Sequence, residues 1–131
     1  MSPVHQPGDR HGFTIIEMLA VMVVIGILAT LAFARLQYTK DKATVASLSS
    51  DLHGIAEEQE AYYFQNRSYS PTIDSLNPNL SPGNVITILE GTSAGWSGQA
   101  SNPKVAKQCW MVVGTAAAVG SAVPDGGISC S

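Results

Sequence analysis

The feature that most constrains this chain is an uninterrupted apolar run, residues 13–34, that carries one charged side chain, Glu17. As a helix, roughly 22 residues reach about 33 Å, enough to cross the ~30 Å hydrocarbon core of a bilayer. A soluble protein can hide a helix that is apolar all round, but only inside a substantial core. The chain has 131 residues, so about 80 to 90 remain for a globular part, too few to enclose such a helix. Charged residues make up 13% of the chain, about half the usual share for a soluble domain. The chain therefore needs a membrane, an assembly of copies, or both.

A polar leader, residues 1–12, precedes the run. In a secretory signal peptide the apolar region comes before a small-residue cleavage site. Here the order is reversed: polar leader, Gly12, then the apolar helix opened by Phe13. Cleavage after Gly12 would keep the helix on the mature protein and make Phe13 its N-terminus. The simpler alternative is an N-terminal anchor that is never cut.

Glu17 is the informative residue within the run. A carboxylate inside a membrane segment is costly and reads as functional, with a partner to be named. Near the helix start it can also reach the headgroup region or favour the helix N-terminus. Cleavage at Gly12 would create an α-amine on Phe13. Glu17 of a neighbouring chain can pair with that amine once subunits pack side by side in low dielectric.

The stretch G-F-T-I-I-E-M-L-A-V-M-V-V-I-G-I-L-A resembles the N-terminal processing motif of type IV pilins and of the pseudopilins of type II secretion. The resemblance implies a prepilin peptidase that cuts after Gly12 and methylates Phe13, and a docking role for Glu17. Arg10 and His11 stand where the family prefers basic residues. Ala34 stands where many members carry a helix-kinking proline, so a straighter helix is expected here.

Beyond Arg35 charges return, yet no proline occurs until Pro71. Val45, Leu48, Leu52, Ile55, Gln59 and Tyr62 recur at spacings of three and four, a helical stripe, with Asp51, Glu57, Glu58 and Glu60 mostly off it. Gly54 weakens the helix without ending it. One helix over about residues 13–66 is predicted, a span of about 80 Å. Its stripe is expected to be covered by the chain's own C-terminal sheet rather than by a coiled-coil partner. Tyr62, Tyr63, Phe64 and Tyr69 are expected as core and rim packing.

Residues 67–83 read as a loop with a short helix near Ile73 to Leu76. Strands are expected at 85–89, 94–101 and 107–114, with turns at 91–93 and 102–103, joined as an antiparallel meander. Two cysteines, Cys109 and Cys130, both lie in the last quarter. An even count beyond a membrane segment suggests a disulfide and an oxidising compartment; two buried thiols are the alternative. The fold class is α+β: a long helix packed against a small antiparallel sheet, with a C-terminal loop bounded by the cysteines. That architecture is similar to the pilin fold. The expected organisation is 1–12 removed leader, 13–34 membrane and polymerisation helix, 35–66 amphipathic extension, and 67–131 sheet head.

The positive-inside tally of Arg10 against Arg35, Lys40 and Lys42 favours a cytoplasmic C-terminal side. The cysteines favour a periplasmic one and are given precedence. The net charge of −3 supplies no basic field for nucleic acid, although Lys104 and Lys107 form a basic pair able to touch an acidic partner or DNA. His5, His11 and His53 are scattered, with no zinc spacing. No nucleophilic, phosphate-binding or paired-carboxylate arrangement is present, so neither catalysis nor a cofactor is expected.

The resemblance thus implies a structural subunit of a bacterial type IV pilus or pilus-like filament serving adhesion, twitching motility or DNA uptake. Its partners would be other copies of itself and other pilins, the prepilin peptidase, the inner membrane and the pilus assembly platform. It would be single-pass in the inner membrane and then part of an extracellular filament. The alternatives are a type II secretion pseudopilin and a membrane-anchored binding module that never polymerises. Many major pseudopilins carry a calcium site in place of the disulfide, and Asp125 is the one acid after Glu90, which favours the pilus.

Overall fold

In the computed structural model of the protein, residues 12–123 and 126–131 are described. The readings placed on the leader ahead of Gly12 and on Asp125 lie outside them. The chain divides into two compact units, residues 1–37 and 38–131, each taken by itself below. Helix α1 spans Ile15–Asn66 and runs unbroken past Gly26, Ala34 and Gly54. A 3-10 turn at Ile73–Ser75 follows, then strands β1 Val85–Gly91, β2 Gly95–Ser101, β3 Cys109–Gly114 and β4 Ile128–Cys130.

The first unit is the apolar start of α1. Every residue from Gly12 to Gln37 is exposed, so nothing within this unit covers its apolar surface.

The second unit is the head. Its four strands form one antiparallel sheet in the order β1-β2-β3-β4. Register sorts the side chains, because residues of a strand alternate between faces. Ile86 pairs with Ala100 and Ala100 with Cys109; Ile88 pairs with Gly98 and Gly98 with Met111. These residues share the face that packs on Leu48, Leu52 and Ile55 of α1, with Trp96 fully buried among them. The expected stripe is thus the buried one, with Val45 and Tyr62 half-buried at its ends.

The opposite sheet face presents Glu90, Ser97, Trp110 and Val112, by the same register. Ser97 and Val112 are nevertheless buried, because the segment between β3 and β4 lies over them. Ala117 donates its amide to Glu90 Oε2 at 2.8 Å, and the Gly126 amide donates to the Val112 carbonyl at 2.7 Å. Gly120, at φ +57°, sits so close to the Trp110 indole that a Cβ there would overlap the ring. Glycine is therefore required by both space and backbone.

Several expectations need correction. Asp51, placed off the stripe, is buried and accepts from the Ser81 amide (3.0 Å), the Ser81 hydroxyl (2.8 Å) and Asn84 Nδ2 (2.7 Å). Asn102 Nδ2 donates to Asn84 Oδ1 at 2.7 Å, so one buried polar chain ties α1 to the loop before β1 and to the loop after β2. Burying a carboxylate is tolerable here because three donors replace its water. Phe64 is 77% exposed and is not core. Gly91 belongs to β1 rather than to the turn; a Cβ there would overlap the Ser70 carbonyl.

Gln59 is the polar member of the stripe. Its Oε1 accepts the Ser70 amide at 2.8 Å and its Nε2 donates to the Ser70 carbonyl at 2.9 Å, with both residues fully buried. The side-chain amide thus pairs with the backbone as a second strand would. Gln59→Leu fits the stripe but strands two buried backbone groups. It should cost about 2 kcal/mol, read as a lower denaturation midpoint with an unchanged slope.

Tyr69 packs on Tyr63, with ring centroids 4.7 Å apart, and donates its hydroxyl to Glu60 Oε1 at 2.9 Å. Desolvation first, then the hydrogen bond and charge of Glu60, raise its pKa above the ordinary 10.0. A raised value in the folded state means that this contribution to stability is complete below about pH 10 and fades as pH climbs through the folded value. Glu60→Gln should move tyrosinate absorbance from Tyr69 to lower pH. An unchanged titration would show that Glu60 plays no part in the shift.

Candidate functional site

The sequence singles out the N-terminal segment, and its geometry follows from how a helix begins. The first four amides of a helix lack partners within it. Gly12, Phe13 and Thr14 precede α1 in non-helical conformation, and Phe13 is 78% exposed. The Gly12–Phe13 peptide bond therefore lies in exposed, irregular chain. Thr14 is the N-cap. Its carbonyl accepts the Met18 amide at 3.2 Å, and its Oγ1 accepts the Glu17 amide at 3.3 Å. Glu17 reaches back in return, its Oε2 accepting from the Thr14 amide at 2.8 Å and from the Thr14 hydroxyl at 3.0 Å.

This is a reciprocal capping box. Its signal, a threonine followed three residues later by a glutamate just before an apolar run, stands in T-I-I-E. On sequence Glu17 is a docking group that can also favour the helix N-terminus; its reciprocal hydrogen bonds with Thr14 are what the structure adds. The two roles are compatible, since both bonds fall on Oε2 and Oε1 has no partner among the described residues. The cap also fixes where the carboxylate sits, one turn from the Phe13 nitrogen, with its open oxygen on an exposed helix start.

Cys109 and Cys130 form a disulfide, with S–S 2.03 Å and Cα atoms 4.1 Å apart. They are directly opposed partners across β3 and β4, and Cys109 Sγ lies 4.0 Å from the Val45 carbonyl oxygen on α1. Gln108 and Ser131 exchange two backbone bonds of 3.0 Å just beyond the bridge. The bridge thus closes the segment that covers the outer sheet face. Lys104 and Lys107 are exposed on the loop before β3, and His53 is exposed on α1. Among the described residues, no three His, Cys, Asp or Glu side chains are grouped so as to hold a metal ion.

Residues 8–33 match the family model described as the prokaryotic N-terminal methylation motif. The chain is 32% identical over 77 residues to the type II secretion system core protein G of Klebsiella michiganensis, covering 59% of this chain and 54% of that protein. It is 34% identical over 71 residues to the protein of the same name from Pseudomonas aeruginosa, covering 54% and 50%. It is 31% identical over 89 residues to the type IV wide pilus major component PilA4 of Thermus thermophilus, covering 66% of this chain and 68% of that protein. The chain thus spans about half the length of the two secretion-system relatives.

Proposed function

This chain belongs to the family of type IV pilins and pseudopilins, and from that premise we propose that it is a structural subunit of a bacterial type IV pilus or pilus-like filament. A prepilin peptidase cuts after Gly12 and Phe13 becomes the methylated N-terminus. Before assembly the chain is held in the inner membrane by the helix at 13–34, with the extension at 35–66 and the head at 67–131 on the periplasmic side. The assembly platform then draws it into an extracellular filament of like copies. The role is structural, not catalytic.

The observation that carries this reading is an apolar helix start that is wholly exposed, headed by a carboxylate with one oxygen engaged and the other without a partner among the described residues. Lipid and neighbouring helices cover such a surface about equally well, so apolar burial alone gives little reason to leave the membrane. The polar pair supplies the bias. In a bundle of copies, Glu17 Oε1 of one subunit meets the Phe13 amine of the next, a bond that no lipid tail offers.

Intact mass of the purified protein tests the processing. The expected mass lacks residues 1–12 and gains one methyl group on Phe13. A protein of full precursor mass overturns the reading and favours a membrane-anchored module that does not polymerise. A second reading, a type II secretion pseudopilin, is supported by the similarity to core protein G. Calcium separates the two: thermal stabilisation by added calcium supports the pseudopilin, and an unchanged melt supports the pilus subunit.

A further inference from the structure

We infer that the head carries a groove for the headgroup of an anionic phospholipid, drawn from the leaflet in which the membrane helix ends; this rests on the membrane reading above. The groove, about 600 Å³, lies between α1 and the loop before β3, a volume typical of a small-molecule site. Tyr38, Val45 and Val105 give it apolar walls, Lys42 enters from the helix and Lys107 from the loop, and Asp41 is its one carboxylate. The Lys42 ammonium stands 4.7 Å over the Tyr38 ring, a cation–π contact that keeps the charge at the groove.

The distribution of charge along the chain points to an anion. The net charge is −3, yet five of the seven lysines and arginines fall in two short stretches: Arg35, Lys40 and Lys42 on α1, and Lys104 and Lys107 before β3. The groove is where the second stretch returns to the first. All four of these lysines are exposed. On the periplasmic side proposed above, they run against the positive-inside bias. Cations kept there against that bias need a partner, and the bilayer supplies one.

Chain length ties the groove to the bilayer surface whatever the conformation. Tyr38 comes four residues after Ala34, where the apolar run ends, and four residues reach about 14 Å at most. Tyrosine favours the headgroup level, with its ring apolar and its hydroxyl wet, and lysines beside a membrane segment attract anionic lipid. A phosphoglycerol headgroup satisfies each wall of the groove. Its phosphate oxygens accept from the Lys42 and Lys107 ammonium groups, a glycerol hydroxyl donates to Asp41, and its first acyl carbons lie along Val45 and Val105. The lipid is held before assembly and given up as the chain leaves the bilayer.

The test uses the full-length chain in nanodiscs of phosphatidylcholine, alone or with phosphatidylglycerol added. Amide exchange at residues 104–107 should be roughly fivefold slower with phosphatidylglycerol, and high salt should abolish that protection by screening exposed charge. Lys42→Gln with Lys107→Gln should remove it, and Lys42→Arg with Lys107→Arg should keep it. An unchanged head melt checks the folding of each variant. Equal protection in phosphatidylcholine alone, or protection that survives the glutamine pair, overturns the inference while leaving the membrane reading intact. Protection in phosphatidylcholine that rises with the number of chains per disc overturns it in favour of a second copy in the groove. The same protection from inorganic phosphate in phosphatidylcholine discs overturns it in favour of a soluble anion. A chain that enters discs of neither composition overturns the membrane reading itself.

Discussion

Glu17→Ala should leave the chain cut after Gly12 and still lower filament yield at least tenfold. On the proposed reading the peptidase acts at Gly12 and Phe13, which lie in exposed, irregular chain ahead of the Thr14–Glu17 cap. Assembly depends on the carboxylate twice. Alanine removes the acceptor that closes the capping box on Thr14, and it leaves the Phe13 amine of the neighbouring copy without a counter-charge in a low-dielectric bundle, where removing one member of a pair costs most. Glu17→Gln separates the two contributions. Its amide oxygen can still accept from Thr14, so the helix start is kept, while the charge is lost. Glutamine should therefore preserve amide protection at residues 17 and 18 and still fail to restore filaments. Intact mass reports the cut, and sedimentation with electron microscopy reports the polymer. Parental yield from the glutamine variant would rule out the intermolecular pair and leave Glu17 as a cap alone.

Removing the disulfide should have the largest effect on stability. Cys109→Ala with Cys130→Ala opens a loop of sequence separation 21, for which the chain-entropy model gives about 3 kcal/mol. For a head of this size that lowers Tm by on the order of 15 °C. Alanine is the right probe because Cys109 is fully buried and a serine hydroxyl there would need a partner. Loss should begin in the segment between β3 and β4, which would exchange its amides first, while α1 and β1 to β3 keep theirs longest. Reduction of the parent protein should reproduce the shift. A Tm within about 2 °C of the parent would mean that the bonds of Ala117, Gly126 and Ser131 hold the segment unaided.

What the sequence made legible follows the range of each signal. The stripe Leu48, Leu52, Ile55 could be read because a helix repeats its face every three to four residues, and the strands because β-branched runs alternate with turns. The residues that were misjudged have partners far along the chain. Asp51 was placed mostly off the stripe; its donors, Ser81 and Asn84, lie about thirty residues on, in the loop before β1. Gln59 looked like an imperfection in an apolar stripe, because nothing local shows that the Ser70 backbone will lie against it. β4 is three residues long, too short for alternation to show, and is held by the disulfide and its pairing with β3. The capping box is the opposite case: its four residues are adjacent and it was readable.

At the N-terminus the motif singles out Gly12 and Phe13, and the structure adds that both lie in exposed chain ahead of α1, which begins at Ile15.

The segment laid over the outer face of the sheet divides the head into scaffold and display. It is anchored at its ends, by the turn after Gly114 and by the Cys109–Cys130 bridge, and between them by the contacts of Ala117, Gly120 and Gly126. Ala118, Ser121 and Val123 are exposed and are not members of the helix–sheet core. What this molecule shows to its surroundings on that side is therefore changed most freely at Ala118, since Ser121 bonds through its hydroxyl to Ser129 and Ser131 and Val123 bridges to Gly127.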